Sequence, residues 1–264
     1  MSLLASLSLF FAAGLLGGLL LGLIGVGMAL IAVPLLTMTL PLFGIGPAAA
    51  PLTALATSMS IVSVGSISSI LSHHRLGNVD WRVVKTTVPA SVIGVGAGSL
   101  VATHLPGDSL RWIFCTFLIV IAARMLLPAK STAHPAIDTG AWTYRIVGAL
   151  IGVAGSLIGA GGGVFMVPFL GSRGHPMVRA VATSTAIGLP VSVLGTVVYA
   201  FQTPPVHTGT MLGYLFLPAF FGLSLGSIIA APYGASLASR IPTKMLRSAF
   251  AILLLVLAVK LMIG

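Results

Sequence analysis

Eight stretches of this chain are almost wholly apolar: residues 2–40, 49–71, 84–104, 109–127, 143–170, 179–200, 211–233 and 244–263. Polar or turn-rich separators stand between them, such as HHRLGNVDWR at 73–82 and PAKSTAHPAIDTG at 128–140. A helix crosses the hydrocarbon core with about 20 apolar residues. The pattern therefore predicts an all-α polytopic membrane protein with eight apolar segments. Segment 2–40 is too long for one crossing, since 39 helical residues would run about 58 Å, nearly twice the core. No basic region precedes Leu3–Leu9 and the apolar run continues past it, so it reads as a retained membrane segment rather than a cleaved signal.

The pattern also repeats. LIGVGMALIAVPLL at 23–36 and LIGAGGGVFMVPFL at 157–170 share seven of fourteen positions. Ala56-Thr57-Ser58 recurs as Ala182-Thr183-Ser184, Leu105-Pro106 as Ile241-Pro242, and Leu110-Arg111 as Leu246-Arg247. Phe114, Leu118, Val120 and Ala122 recur as Phe250, Leu254, Val256 and Ala258. This is an internal duplication. The expected organisation is a first transmembrane repeat over 1–128, a cytoplasmic linker over 129–142 and a second repeat over 143–264, together one transport domain.

Charge then decides how the segments cross. The chain has 13 Lys and Arg against three acids, and 6% charged residues where soluble domains carry about a quarter. Cytoplasmic loops of membrane proteins collect Lys and Arg. If every segment crossed once, the cations would divide almost evenly between the two sides. If the first segment of each repeat folds back at its glycines, Arg75, Arg82, Lys85, Arg124, Lys130, Arg145, Arg173, Arg179, Arg240, Lys244 and Arg247 share one side. Only Arg111 and Lys260 then lie opposite. That assignment inverts the second repeat relative to the first and gives up to ten helices, counting hairpin arms. Both termini are expected to be external, and the arms of 143–170 are expected to be half-helices.

Inverted repeats with broken helices recur in secondary transporters, where the breaks flank a midplane site. Glycine tolerates backbone conformations that other residues resist, and backbone groups freed at membrane depth need protein or a wet cavity. N–H groups at the start of a half-helix favour an anion. The expected substrate-binding residues are accordingly Gly25 and Gly27 at the first break and Gly159, Gly161, Gly162 and Gly163 at the second. Hydroxyls of Thr57, Ser58, Thr183 and Ser184 are expected to complete the site as neutral donors, avoiding the cost of a buried cation. Gly94/Gly98 and Gly222/Gly226 are small-xxx-small pairs suited to helix packing.

The paired glycine stretches with their Val-Pro, the Ala-Thr-Ser in the next helix and the Pro–Leu-Arg–Phe ending resemble the sulfite exporter TauE/SafE family, also called TSUP or DUF81. The resemblance covers essentially the whole chain, although Val26-Gly27-Met28-Ala29 departs from the glycine-rich pattern of the second copy. It implies a permease of the prokaryotic inner membrane for small sulfur-containing anions or organosulfonates, such as sulfite, sulfoacetate or thiosulfate. The partners it implies are that anion and the lipid bilayer.

Other chemistry is sparse. His73, His74 and Arg75, at the inner end of the second segment, are candidates for a gate or for proton handling, and His207 falls in an outer loop. The six histidines form no metal-ligand constellation with carboxylates, so no metal or other cofactor is expected. The lone Cys115 excludes an internal disulfide. Basic residues are scattered between apolar segments, which argues against nucleic acid. Without HExxH, GxSxG or a Walker sequence, an enzyme or ATP-driven pump is disfavoured. An anion channel or the membrane subunit of a larger assembly is the alternative to a transporter.

Overall fold

The computed structural model describes residues 3–24, 27–126, 140–205, 209–237, 251–252 and 255–262. Its helices are α1 (Leu3–Ile24), α2 (Gly27–Thr39), α3 (Ala50–Arg75), α4 (Trp81–His104), α5 (Gly107–Leu126), α6 (Ala141–Ile158), α7 (Gly163–Ser172), α8 (Met177–Ala200) and α9 (Leu217–Leu237). A 3-10 turn at Leu40–Phe43 follows α2, and residues 255–262 are helical. The only strands among the described residues are β1 (Met211–Leu212) and β2 (Leu215–Phe216), a small antiparallel hairpin. Among the described residues six helices, α1, α3, α4, α6, α8 and α9, are long and apolar enough to cross a membrane. The protein is an all-α polytopic membrane protein.

Both glycine-broken segments fold back on themselves. Phe10, early in α1, lies 6.3 Å from Phe43 between ring centroids. In the second copy Tyr144, early in α6, meets Phe169, late in α7, edge-on at 6.0 Å. Each second arm therefore returns to the level at which the first began. The arms are less equal than expected, because α6 begins at Ala141 and its 18 residues make a candidate span; only α7, with 10, is a half-helix. Pro34 and Pro168 lie inside the return helices α2 and α7 instead of ending them.

Helix directions follow from the close contacts. Gly14 abuts Leu223, Gly18 abuts Ser227 and Gly22 abuts Ala231, so α1 and α9 run parallel. Gly94 against Ala149 and Gly98 against Val153 set α4 parallel to α6 in the same way. These are the two most extensive helix pairs: the first helix of each copy packs on the fourth helix of the other. The duplicated helices α3 and α8 run antiparallel. Met59 faces Gly195, Val62 shares Gly161 with Gly188, and beyond the end of α3 the Asp80 amide donates to Thr183 Oγ1 at 3.0 Å. Equivalent helices that run in opposite directions are what an inverted duplication requires.

Glycine is needed at these crossings because backbone meets backbone. A Cβ at Gly94 would lie 2.1 Å from the Ala149 carbonyl oxygen, whereas one at Gly96 would meet only Leu194 Cδ2 at 3.9 Å. We expect Gly94→Ala to destabilise the protein by about 1–3 kcal/mol, as overpacking does. Gly96→Ala should leave its thermal unfolding in detergent unchanged. Equal effects at the two positions would contradict this account of the α4–α6 contact.

Two boundaries differ from the apolar pattern. α3 continues through His73, His74 and Arg75, leaving only residues 76–80 before α4. There the Asp80 carboxylate accepts from the amides of Arg82 (3.1 Å) and Val83 (3.3 Å), which starts α4. In segment 211–233 the helix begins only at Leu217, because Gly213, with φ +55°, turns the short β1–β2 hairpin ahead of it. The linker stretch 127–139, Lys130, Val206–Thr208 with His207, and residues 238–250 with Arg240, Lys244 and Arg247 lie outside the described residues.

Candidate anion site

The second break is built by its own backbone. Gly159 ends α6 in the left-handed region (φ +72°), and the Ala160 amide donates back to the Gly155 carbonyl at 2.9 Å. This is the glycine-dependent helix stop. Gly162 (φ +81°) then turns the chain into α7, its carbonyl accepting from the amides of Phe165 and Met166 and its own amide donating to Ala160. The amides of Gly161, Gly163 and Val164 are left without a partner among the described residues. Two of them belong to the first turn of α7, where no intrahelical acceptor exists.

A cavity of about 20 Å³ lies against this turn, lined by Gly161, Gly163 and Val164 on one side and by Ser66, Ser184 and Thr185 on another. Leu21 and Met28, which flank the first break, also line it. The cavity thus sits between the two breaks. None of its described lining side chains is charged.

The hydroxyls expected to complete the site divide by role. Ser184 reaches the cavity, although its hydroxyl and that of Thr185 both donate to the Val181 carbonyl at 2.9 Å. Thr57, Ser58 and Thr183 are buried but do not line it. Ser58 Oγ donates to the Gly159 carbonyl at 2.8 Å and so pins the break. Thr57 Oγ1 accepts from the Phe216 amide at 2.9 Å, just before α9, and Thr183 Oγ1 accepts from the Asp80 amide, just before α4. The two duplicated threonines each hold the start of the other copy's fourth helix. They are fasteners of the inverted architecture, not wall groups of the cavity. Gly159 and Gly162 shape the turn without lining the cavity; Gly27 is the first residue of α2, and Gly25 lies outside the described residues.

Ser66 is a polar lining residue that sequence reasoning missed. It is 1% exposed, and its hydroxyl has no partner among the described residues. The signal was present but diluted, since Ser66 is one of six serines between Ser58 and Ser69.

His73, His74 and Arg75 separate as well. His74 and Arg75 are exposed, with His74 Nδ1 accepting from Trp81 Nε1 at 3.2 Å. His73 is fully buried, with Nε2 3.3 Å from the Gly22 carbonyl in the last turn of α1.

Cavities between two inverted hairpin breaks recur in secondary transporters, and sequence comparison gives the family of this chain independently of the cavity. The profile described as "Sulfite exporter TauE/SafE" matches residues 10–261. The chain belongs to the sulfite exporter TauE/SafE family. A probable membrane transporter protein of Haemophilus influenzae is 32% identical over 248 residues, covering 93% of this chain and 94% of that one. A probable membrane transporter protein of Methanocaldococcus jannaschii is 27% identical over 91% of this chain and 90% of its own length. One from Xylella fastidiosa is also 27% identical, over 88% of this chain and 87% of its own. No solved structure gives a significant match. Family membership and the six apolar helices make this a multi-pass membrane protein of a transporter family.

Proposed function

We propose that the protein is a secondary transporter of small sulfur-containing oxyanions or organosulfonates, such as sulfite, sulfoacetate or thiosulfate, across the prokaryotic inner membrane. The two repeats, 1–128 and 143–264, act as one transport domain that alternates access around the cavity at the second break. The observation that carries this reading is the donor set of Gly161, Gly163, Val164 and Ser66: these residues line the cavity, their three amides and one hydroxyl have no partner among the described residues, and none of the described lining side chains is charged. Neutral donors can replace part of an anion's hydration and still release it, whereas a buried Lys or Arg would hold it and be costly to desolvate.

The cavity has room for about one water molecule. Admitting an oxyanion therefore requires the α6–α7 hairpin to move away from α3 and α8.

Orientation follows from the cations. Helix directions bring the described Arg75, Arg82, Lys85, Arg145, Arg173 and Arg179 to one face. Arg111 Nε donates to the Leu261 carbonyl, grouping Arg111 and Lys260 on the other. We assign the first face to the cytoplasm. Cysteines at 75 and 173 should then react with an impermeant reagent only from inside, and one at 108 only from outside. Labelling 75 and 108 from the same side would overturn the assignment.

Counterflow in liposomes tests the transport reading: labelled sulfite should enter against its gradient in exchange for unlabelled sulfite inside. A channel would only dissipate the gradient, and an enzyme would exchange nothing. Asp108, exposed in the first turn of α5 and away from the cavity, should be dispensable. Asp108→Asn is expected to keep counterflow within about twofold, the effect of a rim charge screened by salt. Complete loss with normal insertion would reveal a coupling carboxylate.

A further inference from the structure

One face of α3 runs from the cavity to the cytoplasmic end of the helix. Val62, Ser66, Ser69 and His73 occupy positions i, i+4, i+7 and i+11, a single stripe on a helix. Val62 and Ser66 line the cavity, while Ser69 Oγ and His73 Nδ1 are fully buried without a hydrogen-bond partner among the described residues. Ser227 Oγ on α9 is likewise unpartnered, and it packs against Gly65 beside the stripe. Unpartnered polar atoms are uncommon in folded interiors and call for a reason. Of the seven such atoms among the described residues, two lie on this stripe and the Ser227 hydroxyl lies beside it.

The Gly22 carbonyl can only accept, so His73 Nε2 carries the hydrogen of that contact. Nδ1 of the neutral ring is then an acceptor without a donor among the described residues. No fixed charge competes for it among the described residues. α1 and α2 hold no titratable side chain, α9 offers only the exposed Tyr233, and Arg179 of α8 is exposed. On its own element His74 and Arg75 point to solvent, and the nearby Asp80 carboxylate is engaged by the first amides of α4.

Resting on the anion site above, we propose that His73 binds a proton at Nδ1 together with each anion, making the transporter a proton–anion symporter. A proton from water adds to the Nδ1 lone pair as the anion enters the cavity, giving imidazolium beside anion. It returns to water when the anion leaves. Ser66 and His73 are seven residues apart, about 10 Å along the helix. At that separation and a protein-like dielectric, one negative charge raises a group's proton affinity by roughly tenfold. The reciprocal effect on the anion is equal by linkage.

The test compares wild type with His73→Gln in liposomes loaded for labelled sulfite exchange. Glutamine keeps an N–H donor for the Gly22 carbonyl and removes the titrating group. Wild type should accumulate sulfite when an inward proton gradient is imposed. His73→Gln should retain exchange at equal pH but no longer accumulate sulfite under the gradient. Gradient-driven accumulation that survives in His73→Gln would mean that sulfite carries its own proton, and the inference fails. It fails equally, whatever the variant's fold, if wild type exchanges sulfite but does not accumulate it under the gradient. Absence of exchange in wild type would instead sink the transport reading, and this inference with it.

Discussion

Gly161→Val is expected to abolish sulfite counterflow in protein that still inserts, at a stability cost of about 1–3 kcal/mol from overpacking. A Cβ there would lie 2.8 Å from the Gly188 carbonyl oxygen and 3.2 Å from Val62 Cγ1, so a valine displaces α8 and the Val62 side chain at the wall of the cavity. The cavity, at about 20 Å³, has no space to spare. The same substitution at Gly171, also on the second hairpin, meets nothing within 4 Å and supplies the control. Gly171→Val should transport nearly as wild type. Normal counterflow in Gly161→Val would mean that the glycines of this turn serve folding alone.

The second large effect should come from Ser66. Its hydroxyl has no competing partner among the described residues, so a bound anion gains a hydrogen bond that nothing in the protein forgoes. Hydrogen bonds to charged groups contribute about 1.5–3 kcal/mol, so Ser66→Ala should weaken sulfite binding roughly 10- to 100-fold. Ser184→Ala should cost less, because that hydroxyl already donates to the Val181 carbonyl. Thr57→Val makes the contrast. It leaves the Phe216 amide without its acceptor and should lower unfolding stability by about 1–3 kcal/mol without a selective loss of affinity. Calorimetric titration with sulfite and thermal unfolding separate the two behaviours. Similar affinity losses in Ser66→Ala and Thr57→Val would erase the distinction between wall group and fastener.

Much of the architecture was legible because the bilayer constrains the chain so strongly. Apolar length, the two glycine stretches and the Lys and Arg positions sufficed for the hairpins and the inversion, since each records a transfer cost that no tertiary contact can cancel. What escaped depends on which way a helix turns. Thr57 and Thr183 stand beside the right helices, but their hydroxyls meet backbone amides contributed by the opposite repeat, a relation invisible in either repeat alone. Ser66 looks like its neighbouring serines until the α6–α7 hairpin settles on one face of α3. His73 reads as loop beside His74 and Arg75, because a buried histidine at a helix end is distinguished only by the carbonyl it meets, here that of Gly22. The short extent of α7 and the late start of α9 are turn decisions made by Gly162 and Gly213, whose positive φ values are set by local packing that apolar content does not encode.

If an oxyanion sits against the second break, selenite locates it there. Selenite has the shape and charge of sulfite, and its selenium scatters anomalously, so diffraction from crystals soaked with it marks the anion without reference to activity. The account predicts one strong peak within hydrogen-bonding reach of the amides of Gly161, Gly163 and Val164 and of Ser66 Oγ, lost in Gly161→Val crystals. A peak beside Arg111, or beside Arg75, Arg82 or Arg179 at the opposite face, with none at the second break, would contradict it.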